Sequence, residues 1–156
     1  MPRLTFLVVL ERLAFITLIA GLIGIERERH GRAAGFRTHI LVGIGSCLIT
    51  LTGIYFTEIY GASAVDPTRL SAQIISGMGF LGAGTIIRFG GSVRGLTTAA
   101  SIWAVGGVGI AMAVGFYSGA LLTGLIVIVT LFLLSPVERA IRSQHKESEA
   151  KQGSRG

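Results

Sequence analysis

The chain of 156 residues is short enough to be a single domain, yet it is 51% hydrophobic, only 14% charged and has a mean hydropathy of +0.70. Soluble domains carry about 25% charged residues, so the composition argues against a globule surrounded by water. A net charge of +6 and a pI near 10.5 would suit a nucleic-acid binder, but the charges sit in three clusters between apolar runs, which points to a membrane instead.

A membrane span needs about 20 predominantly apolar residues. The first such run covers residues 4–25. It lies where a signal peptide would, but Glu11 and Arg12 interrupt its apolar stretch, no A-x-A-like site follows, and it ends in a basic block. It therefore reads as a retained helix. Glu11 and Arg12 are expected to mark its outer interface, with Arg12 snorkelling to water. At its other end Glu26 faces the negative end of the helix dipole and needs a compensating cation. Arg27 and Arg37 are near enough in sequence, and Arg37 or a basic group of the 88–94 loop is the expected partner. A structural network closing the loop and a regulatory or ion site on that face are both open readings.

The second run covers 38–56, with Thr38 as a natural N-cap after Gly35. Cys47, the single cysteine, lies within it and reads as a small core residue. The third run covers 70–87. Asp66 or Thr68 caps its start with Pro67 at an early position, and Arg69 follows. Residues 76–103 concentrate Gly77, Gly79, Gly82, Gly84, Gly90, Gly91 and Gly95. Glycine lowers helix propensity, but unsatisfied backbone in lipid forces helix despite it, and small residues let helices approach closely. The segment is thus expected to be two closely packed membrane helices joined by a short basic loop, with Gly77, Gly79, Gly82 and Gly84 as packing positions. Ala72, Ser76, Gly79 and Ala83 form one small-residue stripe, and Gly107, Ala111 and Gly115 another. The fourth run covers 96–116, with Thr97 or Thr98 as its cap. The fifth covers 118–135 and forms a tight hairpin with the fourth. Gln73, Ser76, Ser101 and Trp103 are polar or amphipathic groups within spans, read as interhelical contacts before ligands. The chain thus divides into a transmembrane domain over 4–135 and a polar, basic tail over 136–156, expected to be disordered with a helical turn near 137–142.

Arginine and lysine fix the orientation. Arg27, Arg29, Arg32 and Arg37 share the first loop, Arg88 and Arg94 the third, and five more occupy the tail. The positive-inside rule puts the N-terminus outside and the C-terminus inside, as five spans require. A shift of 60 residues aligns Gly24 with Gly84, Gly31 with Gly91, Gly35 with Gly95 and Thr38 with Thr98. Either chance in a glycine-rich chain or a parallel repeat of two hairpins, followed by a fifth helix, explains the match.

Enzymatic signals are weak. Ser76 sits in a Ser-Gly-Met-Gly run, but no histidine lies at depth to serve as its base; there is no Cys/His zinc spacing and no Walker lysine. The expectation is a non-enzyme without a cofactor.

The runs Gly24-Ile-Glu26-Arg27-Glu28, Ala34-Gly-Phe-Arg37-Thr38, Asp66-Pro67-x-Arg69, Ser76-Gly-Met-Gly-Phe-Leu-Gly-Ala-Gly84 and Arg94-Gly-Leu-Thr-Thr-Ala-Ala-x-x-Trp103 together resemble the MgtC/SapB family over residues 10–134. The resemblance implies a bacterial inner-membrane protein tied to magnesium limitation. It also implies regulation through other membrane proteins, ATP synthase among them, and marks the quoted residues as functional candidates. The best-known members carry a soluble ACT-like domain after the membrane part. The sequence stops about twenty residues after the fifth run, so that domain is expected to be absent. The expected architecture is an all-α bundle of five transmembrane helices, homo-oligomeric in the bilayer. Its expected role is as a non-enzymatic factor in magnesium or ion homeostasis, with a small cation transporter or channel as the alternative.

Overall fold

The computed structural model describes residues 4–61, 66 and 68–133. Helix α1 spans Phe6–Arg29, α2 Phe36–Tyr60, α3 Thr68–Ala83, α4 Leu96–Ala113 and α5 Tyr117–Leu133; strands β1 (Ile87–Phe89) and β2 (Ser92–Arg94) lie between α3 and α4. The protein is an all-helical membrane bundle with one small hairpin. Three helices, α1, α2 and α4, are long and apolar enough to cross a membrane. At 1.5 Å per residue, the 16 described residues of α3 and the 17 of α5 cover about 24 and 26 Å. The tail expected over 136–156 lies outside the described residues.

The helices pack where glycine lets backbones meet. A Cβ on Gly24 would lie 2.7 Å from the Phe36 Cα, and one on Gly109 would lie 2.8 Å from the Gly43 carbonyl oxygen. The first contact joins the antiparallel pair α1 and α2. The second joins α2 to α4, which run parallel, with His39 against Ser101 and Gly43 against Gly109. Around these contacts Ile16, Ala20, Ile23, Cys47, Val105, Val108 and Met112 form a closed apolar core, joined by Ala120 and Leu131 of α5. Cys47 is fully buried, the core residue expected of it. Helix α3 lies to one side, turning Ile74, Met78 and Gly82 towards the bundle.

Several boundaries and packing positions differ from the sequence reading. Of the four glycines expected at helix contacts, Gly82 alone meets another helix: a Cβ added there would lie 3.3 Å from that of Ala99. Gly77 and Gly79 face open space, and Gly84 approaches only carbonyls of its own helix. The Ala72, Ser76, Gly79 and Ala83 stripe is exposed, because Ile74 and Met78 dictate which face is buried. On α4 the packed glycines are Gly106 and Gly109, not Gly107. The third run ends early: α3 stops at Ala83, and the β-branched segment Thr85-Ile86-Ile87 leaves the helix for β1. Gly90 and Gly91, with φ of +54° and +84°, supply the two left-handed residues of a tight turn, and β1 pairs antiparallel with β2 with Phe89 opposite Ser92. The loop joining α3 to α4 is therefore a β-hairpin.

Helix starts differ too. Gly35 and Gly95 are the N-caps of α2 and α4, and neither Thr38, Thr97 nor Thr98 caps its helix. Thr38 and Thr98 instead sit at the third position of equivalent first turns. The Glu28 carboxylate takes over the capping of α2, accepting the Phe36 amide at 3.0 Å. At α3, Asp66 does cap, its Oδ1 accepting the Thr68 amide at 2.9 Å and the Thr68 hydroxyl at 2.6 Å. The tight hairpin between α4 and α5 is present: Gly115, at φ +80°, ends α4, with its amide bonded to Met112 and that of Phe116 to Ala111.

Candidate functional site

A cluster of buried polar residues forms at the end of the bundle where α1 stops and α2 and α4 begin. Helix α1 continues four residues beyond its predicted end, because Arg27 and Arg29 in its last turn complement the dipole. This places Glu26 and Arg27 on the helix, facing inward, with relative exposures of 0% and 1%. Their side chains form an ion pair through Arg27 Nε and Glu26 Oε2. The other carboxylate oxygen, Oε1, lies 3.0 Å from His30 Nδ1, an ion pair when that ring is protonated. The His30 Nδ1–H points at the Glu26 carbonyl, 2.9 Å away, so Oε1 accepts no hydrogen bond among the described residues. Arg27 Nη1 is likewise buried without an acceptor among them. A buried pair with unused hydrogen-bonding capacity is costly to maintain, since each ion has lost its water.

His39 continues the cluster on α2. It is fully buried, its Nδ1–H donates to the Gly35 carbonyl at 2.8 Å, and its Nε2 lies 3.0 Å from the Ser101 hydroxyl of α4. The Ser101 hydroxyl is also 2.8 Å from the Thr98 carbonyl. With one hydroxyl proton, Ser101 donates either to Thr98 or to the ring. A neutral ring accepts from Ser101, whereas a protonated ring donates to it and frees the hydroxyl for Thr98. The His39–Ser101 contact thus ties α2 to α4, while Glu26, Arg27 and His30 bond among themselves at the end of α1 beside it.

The sequence candidates divide sharply on this geometry. Glu26, Arg27 and Thr98 are buried at the cluster; Arg37, Thr38 and Thr97 are exposed nearby. Glu26 pairs with Arg27 and His30, not with Arg37 or the 88–94 hairpin. Arg94 lies on exposed β2. Asp66, Arg69 and Gln73 are exposed on and before α3, towards the opposite end of that helix, and Trp103 is about half exposed on α4. Ser101 makes the interhelical contact expected of it, while Ser76 bonds back to Ala72 of its own helix at 3.3 Å.

Two buried groups carry little signal in the sequence. His39 reads there as a helix-start residue, and only the α2–α4 contact reveals its partner. Arg12 does not snorkel, as its place near the end of an apolar run predicts. Instead it is buried, and its Nη1 donates to the Ala113 carbonyl in the last turn of α4. The guanidinium there answers the negative end of a neighbouring helix, which an isolated view of α1 cannot disclose. Among the described residues, no three His, Cys, Asp or Glu side chains converge as metal ligands.

A glycine-packed bundle of long apolar helices, with a buried charged cluster at one end, defines a polytopic membrane protein. Comparison with known proteins specifies it further: residues 13–140 match the MgtC family model, and the chain belongs to the MgtC family. It is 40% identical over 146 residues to Protein SapB of Bacillus subtilis, covering 89% of this chain and 63% of that protein. It is 40% identical over 132 residues to Protein MgtC of Brucella abortus, covering 85% and 53% respectively. Over 109 residues it is 40% identical to the "Putative magnesium transporter YhiD" of Escherichia coli, covering 68% and 51%. The chain therefore spans between half and two thirds of the length of these relatives. No solved structure matches it.

Proposed function

We propose that this chain is an inner-membrane factor in magnesium homeostasis that acts on other membrane proteins without catalysing a reaction or carrying the ion itself. Family membership and the relative named as a magnesium transporter support the link to magnesium. The observation that carries the non-transport reading is the way the bundle closes. Gly109 against Gly43 brings α2 and α4 into backbone contact, and Gly24 against Phe36 does the same for α1 and α2 at the end where they connect, while the small-residue stripe Ala72, Ser76, Gly79 and Ala83 of α3 is left outward. Such a face suits contact with a neighbouring membrane helix, from a second copy or from a partner such as the ATP synthase that the family resemblance implies. In this reading the N-terminus is outside, the C-terminus is cytoplasmic, and the Glu26–His39 cluster lies at the cytoplasmic end.

The test is growth of a bacterial host lacking its own MgtC-family chain, in limiting magnesium. The wild-type chain should restore growth, and the doubly neutral variant Glu26→Gln/Arg27→Gln, expressed and folded to the same level, should not. No rescue by the wild-type chain would overturn the magnesium role, and full rescue by the folded variant would move the site elsewhere.

A further inference from the structure

Beyond the buried cluster, the surface where α1 turns into α2 holds a cavity of about 660 Å³ lined by Arg29, Arg32, Arg37, Glu28, Ile25 and Phe36. We infer that this cavity binds a phosphate-bearing anion, presented as the headgroup of an anionic membrane lipid. Three guanidinium groups line it against one carboxylate, and among the described residues none of the three has an ion-pair partner. The carboxylate is already committed, since Glu28 Oε2 accepts the Phe36 amide at 3.0 Å. Arginine is suited to the role because its planar donors match phosphate oxygens two at a time.

The backbone adds to the field. The cavity includes Arg37 and Thr38 in the first turn of α2, where amides have no intrahelical acceptor and the dipole is positive. The lipid source follows from where the cavity lies. It sits at the connection between two apolar helices of spanning length, where such helices would meet the phosphate layer, and Ile25 and Phe36 give it an apolar wall suited to the glycerol and upper acyl chain. The arginine cluster thus holds a lipid in place beside the connection between α1 and α2.

The test counts lipid retained on the purified full chain in detergent micelles by native mass spectrometry. Dioleoylphosphatidylglycerol and, separately, inorganic phosphate serve as probes. Arg32→Gln/Arg37→Gln should weaken phosphatidylglycerol retention by about tenfold or more, at roughly 1 kcal/mol per basic residue. Arg88→Gln/Arg94→Gln makes the same change in charge on the exposed hairpin and should alter it by less than about threefold, as expected for charges outside the site. Helical content and unfolding midpoint should be unchanged in both, because all four side chains are exposed. Equal loss in the two variants, or loss in neither, would overturn the site. Arginine-dependent binding of inorganic phosphate without retention of phosphatidylglycerol would overturn the lipid assignment.

Discussion

Removing one charge of the Glu26–Arg27 pair leaves its partner ionised in the interior of the bundle, with an exposure of 1% or less. Glu26→Gln alone should therefore cost about 3–5 kcal/mol, whereas Glu26→Gln/Arg27→Gln should cost clearly less than the two single changes summed. Denaturant unfolding in detergent of all four proteins measures the coupling, and additive losses would contradict a functioning buried pair. The glycines allow a second comparison. Gly24→Ala drives a methyl into the Phe36 backbone, 2.7 Å from its Cα, and should cost about 1–3 kcal/mol. Gly79 faces open space on a helix, so Gly79→Ala should be neutral or should stabilise by up to about 1 kcal/mol through helix propensity alone. The same unfolding midpoints decide it, and equal losses at both positions would refute the packing assigned to them.

At the scale of the elements, Asp66 makes the start of α3 sensitive to pH. Its carboxyl is held below the usual carboxylate range, first by the Thr68 hydroxyl and then by the Thr68 amide. A lowered folded value means that the cap contributes fully above the ordinary aspartate range and fades as pH falls through the lowered value. Asp66→Asn keeps an acceptor at the cap but should remove this acid dependence, read as a flatter unfolding midpoint against pH than in the parent chain; parallel curves would contradict it. The five helices are legible in the sequence because long apolar runs and basic clusters carry their own signal, and so is the short connection at Gly115. The hairpin is not, although Gly90-Gly91 between extended-favouring residues is a recognised turn signal; the apolar run through Ile87 masks it. Packing faces are misread where they depend on a neighbour's shape. Spacing alone makes Gly79 and Gly82 equivalent, and only the approach of α4 separates them. Arg12 and His39 are hidden for the same reason, since their partners, Ala113 and Ser101, are 101 and 62 residues away.

For the whole molecule, the proposed non-conducting role rests on the backbone contacts that close the core and on the buried charged cluster at one end. The exposed face of α3 and the arginine-lined cavity both lie outside that core, so the proposed partner and lipid contacts would leave the packed centre undisturbed. The His39–Ser101 contact joins α2 to α4 and the Gly24–Phe36 approach joins α1 to α2, with the Glu26–Arg27 pair buried beside them at that end. The most direct measurement is magnesium flux in sealed proteoliposomes of the purified chain, followed with an entrapped magnesium-sensitive dye under an imposed gradient. Entry should be no faster than into protein-free vesicles. A saturable magnesium influx that is abolished by Glu26→Gln/Arg27→Gln would contradict it.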